Sequence, residues 1–167
     1  MCERAIEQRY MQLTTGYIKS ARRKNKKLRI YLAHHGIEDV RFWADRLQEF
    51  LEEQGYEIVN PFTYDENARQ LTKTWDKLGV HTYEMCKNIV KKDLGFIDSC
   101  DVLLAYVPNI PGPPTIGMPM EIFYAHSKGK PVIIFAENYD SPWLIAHGKV
   151  VKTCEELLEE LKKCIGG

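Results

Sequence analysis

The chain has 167 residues, 44% of them hydrophobic and 28% charged, which suits one compact domain with a real core and excludes a disordered chain. Its 23 Lys and Arg balance 23 Asp and Glu, so no global charge excess is there to hold nucleic acid or anionic lipid, and a small, locally recognised ligand is expected. The five cysteines, Cys2, Cys86, Cys100, Cys154 and Cys164, are odd in number and include no C-x-x-C pair, which argues against a zinc knuckle or a disulfide framework and for a reducing, cytoplasmic setting.

Residues 1–26 read as an N-terminal extension, too polar at MCERAIEQRY for a signal peptide: a helix over about 3–20, then SARRKNKK. The six basic residues between 22 and 29 form a solvated linker; they lack interleaved aromatics, so no nucleic-acid contact is expected. The domain proper, 27–167, opens with LRIYLA (28–33), a short apolar run suited to a strand buried on both faces. AHHG turns the chain into a helix over about 37–54, with Val40, Trp43, Leu47 and Phe50 in one stripe and Gly55 as its stop. YEIVNP (56–61) is a second strand, a polar stretch follows, and a long helix spans about 80–99. DVLLAYV (101–107) is the third strand and NIPGPPTIG a Pro- and Gly-rich loop. A helix over about 118–128 stops at Gly129, KPVIIFA (130–136) is the fourth strand, and KVVK near 150 a fifth. The last helix, TCEELLEELKKC, takes Thr153 as N-cap. No apolar run approaches the roughly 18 residues of a membrane span.

Strands alternating with helices imply right-handed crossovers and an α/β, flavodoxin-like three-layer sandwich with a mostly parallel five-stranded sheet. Ligands in such folds sit beyond the carboxyl ends of the strands. That address collects AHHG, NPFTYDE and VPNIPGPPTIGMPME. Asp101, at the amino end of its strand, reads as structural. No G-x-G-x-x-G, P-loop or G-x-S-x-G is present, which removes the usual dinucleotide, triphosphate and hydrolase-elbow readings.

Two acids stand out at or near that mouth. With Pro119 at the first helical position, Glu121 falls in the first turn, and Met118, three residues back, cannot close a capping box with it. The carboxylate thus lacks an obvious local partner, and the helix end is expected to keep it ionised, as a nucleophile requires. On a helix advancing about 100° per residue, Cys86, Ile89, Val90, Asp93 and Ile97 share one stripe, which sets Asp93 amid apolar neighbours. A carboxyl there is either satisfied by backbone donors or held with a raised pKa for proton donation. Tyr31 is either a core aromatic or the group that orients Glu121. His34 and His35 line a ligand pocket or bond a phosphate. No second ligand cluster accompanies them at metal spacing, so neither a metal nor another cofactor is expected.

KKDLGFIDSCDVLLAYV, followed by a loop and GMPMEIFYAHSKGKPVIIF, resembles the nucleoside 2-deoxyribosyltransferase family, including relatives that hydrolyse nucleoside 5'-monophosphates. The resemblance covers about residues 28–136. It implies that Glu121 is the nucleophile at C1' of the sugar, that Asp93 assists the departing base and that Tyr31 holds the Glu. Breaking an N-glycosidic bond through an oxocarbenium-like transition state needs two such differently tuned acids. Transferases of the family usually carry a Gly two residues before the Glu and an Asp six before it, where this chain has Pro119 and Thr115. Because a carboxylate at 115 would repel a phosphate, the resemblance then implies a monophosphate N-glycosidase, with base exchange between deoxynucleosides, or mere nucleotide binding, as alternatives. Thr115, His34, His35 and Gly36 would receive the phosphate with the following helix ends, and Gly117 and Met120 would line the substrate site. The family also implies a homodimer or larger assembly, with DSPWLIAHG (140–148) as a contact.

Overall fold

The computed structural model describes residues 27–63, 83–109, 116–137 and 141–165. The expected N-terminal helix and linker, nearly all of the polar stretch after the second strand, and Thr115 lie outside the described residues. Five strands, β1 (Arg29–Ala33), β2 (Glu57–Val59), β3 (Val102–Val107), β4 (Val132–Ala136) and β5 (Lys149–Val151), form one sheet in the order β2-β1-β3-β4-β5. Every pairing is parallel; Tyr31 of β1 sits between Val59 of β2 and Leu103 of β3. Between and after the strands run α1 (Glu38–Glu53), α2 (Tyr83–Ser99), α3 (Gly117–Ser127), α4 (Pro142–Ile145) and α5 (Cys154–Ile165). The result is the flavodoxin-like sandwich that the alternation implies.

Strand residues alternate between two cores because successive side chains leave opposite faces of a sheet. Ile30, Leu32, Leu104, Ile133 and Phe135 pack with Val40, Leu47 and Leu51 of α1 and Leu157 and Leu161 of α5. Tyr31, Ala33, Leu103, Ala105 and Ile134 pack with Ile97 of α2, Met118, Ile122 and Ala125 of α3, and Leu144 of α4. The parity of β1 therefore sends Tyr31 toward α2 and α3, the helices that carry Asp93 and Glu121. Gly55 (φ +93°) and Gly129 (φ +70°) supply the left-handed turns that end α1 and α3. Asp101 stitches the amino ends of two strands: its Oδ2 accepts from the Arg29 N–H at 2.9 Å, and its own N–H donates to the Arg29 carbonyl at 2.7 Å.

Two local readings need correction. Cys86 is exposed and Val90 is 56% exposed, so the apolar stripe of α2 is buried only toward its carboxyl end, at Ile97, with Leu94 and Phe96 partly covered. Asp93 thus stands half-buried where that stripe emerges. The third helix begins at Gly117, which makes Glu121 its fifth residue. Pro119 is tolerated at the third because the first helical N–H groups have no intrahelical acceptor anyway. Among the described residues no helix is long and apolar enough to cross a membrane.

Gly148, just before β5, is a packing glycine: a Cβ there would stand 2.8 Å from Val132 Cγ1 and 2.9 Å from Ile134 Cδ1. Gly148→Ala is expected to lower stability by ~1–3 kcal/mol through overpacking, as read from the urea midpoint.

Candidate active site

Tyr31 is fully buried on β1, and its hydroxyl donates to Glu121 Oε1 at 3.0 Å, across ninety residues of sequence. The phenol is held protonated, and so a permanent donor. Burial contributes most to this, followed by the nearby charges of Glu121 and Asp93. Glu121 itself is pushed up from 4.5 to about 7: burial raises it, the Tyr31 hydrogen bond pulls it partly back, and the Asp93 charge raises it further. This corrects the expectation that a helix end would keep the acid ionised. Glu121 lies beyond the first turn, where the macrodipole has weakened, and desolvation prevails. The Asp93 charge acts on both Glu121 and Tyr31, so α2 carries Asp93 into the neighbourhood of the pair that β1 and α3 bring into contact. Mutual repulsion disfavours ionising both carboxyls at once, which separates an acid role from a charged role within the pair.

The turn after β1 is arranged differently. His34 is buried, with Nδ1 2.9 Å from the His35 carbonyl and Nε2 3.1 Å from Asn60 Oδ1. Asn60, fully buried, also accepts from the Phe62 N–H at 3.1 Å and donates to Gln48 Oε1 at 3.1 Å. Burial lowers the His34 pKa, favouring the neutral ring. His35 Nδ1 accepts from the Ile37 N–H at 3.1 Å, at the entry to α1. Both histidines are thus engaged in fixing the β1 and β2 loops against α1. Gly36 lies in that same turn and is partly exposed. Gly117 opens α3, and Met120, beside Glu121, is 63% exposed. Sequence reasoning missed Asn60 altogether; its only signal was an Asn-Pro pair at the end of a buried strand.

The model of the family described as nucleoside 2-deoxyribosyltransferase matches residues 30–158. The chain belongs to the nucleoside 2-deoxyribosyltransferase family. A solved 2-deoxyribosyltransferase from Bacillus psychrosaccharolyticus is similar in fold, with a TM-score of 0.61 at 16% identity over 77% of this chain and 89% of that one. A conserved protein from Enterococcus faecalis V583 is similar as well, with a TM-score of 0.58 at 18% identity over 83% and 99% of the two chains. No curated protein sequence matches. Family membership supports catalysis of the deoxyribosyltransferase type, base exchange between deoxynucleosides, and overturns the expected hydrolysis of a nucleoside 5'-monophosphate. The geometry supplies a physical reason: the histidines invoked for the phosphate are turned to structural partners, and burial leaves His34 without the charge a dianion would need.

The raised Glu121 pKa makes the acid a stability liability above neutrality. Between 4.5 and about 7 the folded protein holds a proton that the unfolded chain releases, so this group's contribution to stability falls as pH rises through that window. Glu121→Gln removes the ionisation. Relative to the wild type it is expected to gain roughly 1–3 kcal/mol above pH 7 and little near pH 4.5, measured by denaturant titration across pH.

Proposed function

We propose that this protein exchanges bases between 2-deoxynucleosides, using Glu121, Asp93 and Tyr31. The observation that carries the reading is the part-buried Tyr31–Glu121 hydrogen bond with the Asp93 charge acting on both partners, in a chain of this family. Ionised Glu121 faces the anomeric carbon and compensates the positive charge that develops there as the bond to the base breaks. The two carboxyls share one proton, because their repulsion disfavours ionising both; with Glu121 ionised that proton sits on Asp93, which gives it to the departing base and takes it back from the incoming one, so one pair of acids serves both halves of the exchange. Tyr31 fixes the Glu121 rotamer and, staying protonated, never competes with it for charge. Gly117 and Met120, next to the carboxylate, border the sugar.

Incubation of a deoxynucleoside with a second free base should yield the exchanged deoxynucleoside and the released base, followed by chromatography. kcat/KM is expected to fall below about pH 7 as Glu121 protonates. Glu121→Gln should cost at least about 10²–10³-fold and Asp93→Asn about 10²–10⁴-fold, with folding intact. Binding of deoxynucleosides with no exchange by the wild type would leave only a nucleotide-binding module, and full activity in Glu121→Gln would remove the acid from the reaction.

A second copy of the chain is proposed to cover the α3–α4 face. Trp143 on α4 is 76% exposed, Ile145 on the same helix is exposed as well, and Phe123 on α3 is exposed with its ring 5.5 Å from that of His147, just after α4. The wild type should run as a dimer or larger in light scattering, and Trp143→Glu should shift it to a smaller species.

A further inference from the structure

The two acids sit on different helices, and helices on a sheet are held by side-chain packing, which by itself tolerates small slides. A misplacement of about 1 Å at a reacting centre can cost about 10²-fold in rate, so the α2–α3 separation has to be fixed by something more directional.

One such fixture lies below the acids. Tyr124 follows Glu121 by three residues on α3, about 4.5 Å along the axis on the same side of the helix. Its hydroxyl stands 3.0 Å from both Oδ1 and Oδ2 of Asp98, which follows Asp93 by five residues on α2. Lys130 makes a second bridge between the same two elements. Its backbone N–H donates to the Ala125 carbonyl at 3.1 Å and belongs to the cap of α3, while its ammonium donates to the carbonyls of Asp98 at 3.0 Å and Cys100 at 2.6 Å, where α2 ends. Those carbonyls have no partner within their helix, and a cation is favoured at that end of the macrodipole. Asp98 is thus gripped twice, by side chain and by main chain, both times from the segment that ends α3. The Tyr124 ring packs on the core cluster beneath it, with Lys128 Nζ 5.2 Å from the ring centroid on another side.

We propose that Tyr124 and Lys130 are positioning residues, a clamp at the carboxyl ends of α2 and α3 that sets the distance between Asp93 and Glu121. The proposal rests on the base-exchange reading for its kinetic consequence, and on the geometry alone for the placement of the acids. Partly exposed hydrogen bonds of this kind add little to global stability. Their effect is directional: Tyr31 ties Glu121 to the sheet, and the clamp ties the helix of Glu121 to the helix of Asp93.

The test uses the full chain with Tyr124→Phe, Lys130→Met and Asp98→Asn, and two readouts: exchange kinetics, and titration of the Glu121 carboxyl by carbon NMR. Among the described residues the charged or titratable groups acting on Glu121 are Tyr31 from β1 and Asp93 from α2. Tyr124→Phe should fold normally, lose about 10-fold in kcat with KM changed less than about twofold, and shift the Glu121 midpoint downward as Asp93 moves off and water enters. Lys130→Met, which leaves Tyr124 in place, should shift both in the same directions. Asp98→Asn keeps an oxygen to accept the Tyr124 hydroxyl and should stay within about twofold of the wild type in kcat. Unchanged kcat and an unchanged Glu121 midpoint in both Tyr124→Phe and Lys130→Met would overturn the clamp. If the wild type exchanges no bases, the functional reading fails, and the Glu121 midpoint alone decides: a downward shift in the variants upholds the clamp, and no shift refutes it.

Discussion

Glu121 is a carboxyl largely withdrawn from water whose strong donor among the described residues is the Tyr31 hydroxyl at 3.0 Å. Burying such a group costs free energy unless its charge is compensated, and here the compensation is partial by construction: one hydrogen bond favours the anion, while desolvation and the Asp93 charge oppose it. The acid is consequently poised near neutrality. A carboxylate in that condition gains most when positive charge appears beside it, which is what a sugar does as it loses its base.

The rest of the molecule can be understood as the frame for that arrangement. A parallel sheet buried on both faces gives β1 a strict alternation, and the alternation alone decides that Tyr31 faces α2 and α3 while Ile30 and Leu32 face α1. The order β2-β1-β3-β4-β5 opens its crevice at the carboxyl ends of β1 and β3, where the connections from those strands diverge to opposite faces. On one side of that crevice the buried His34–Asn60 pair braces the loops after β1 and β2 against α1. On the other, α2 and α3 present the acids. Rigid bracing on one side and an electrostatically strained pair on the other is a division of labour between stability and chemistry.

The same division bears on the hydrolysis of a phosphorylated substrate, a reading drawn from residue types and overturned by family membership. Two adjacent histidines in a loop at the ligand end of a sheet look like anion ligands. Both ring nitrogens of His34, however, are engaged by the His35 carbonyl and Asn60, and His35 Nδ1 by the Ile37 N–H, so these three nitrogens act as structural pins. Residue type alone cannot distinguish the two uses, because the same nitrogen serves either, and the choice depends on what the fold sets within about 3 Å.

The amino-acid sequence by itself determined the strands, their helices and their stops, since period-2 and period-3.6 hydrophobicity and the glycines at 55 and 129 act locally. It also singled out Glu121, Asp93 and Tyr31 as residues out of keeping with their surroundings, and allowed Tyr31 as either a core ring or a partner for the Glu. Only the tertiary structure decided that Tyr31 reaches Glu121, that the start of the third helix lies at Gly117, that Cys86 and Val90 face outward, and that the acid's charge is governed by burial more than by a helix dipole. Those outcomes depend on which surfaces become covered when distant segments pack, and desolvation, unlike helical periodicity, is a property of the assembled neighbourhood that no local window of residues contains.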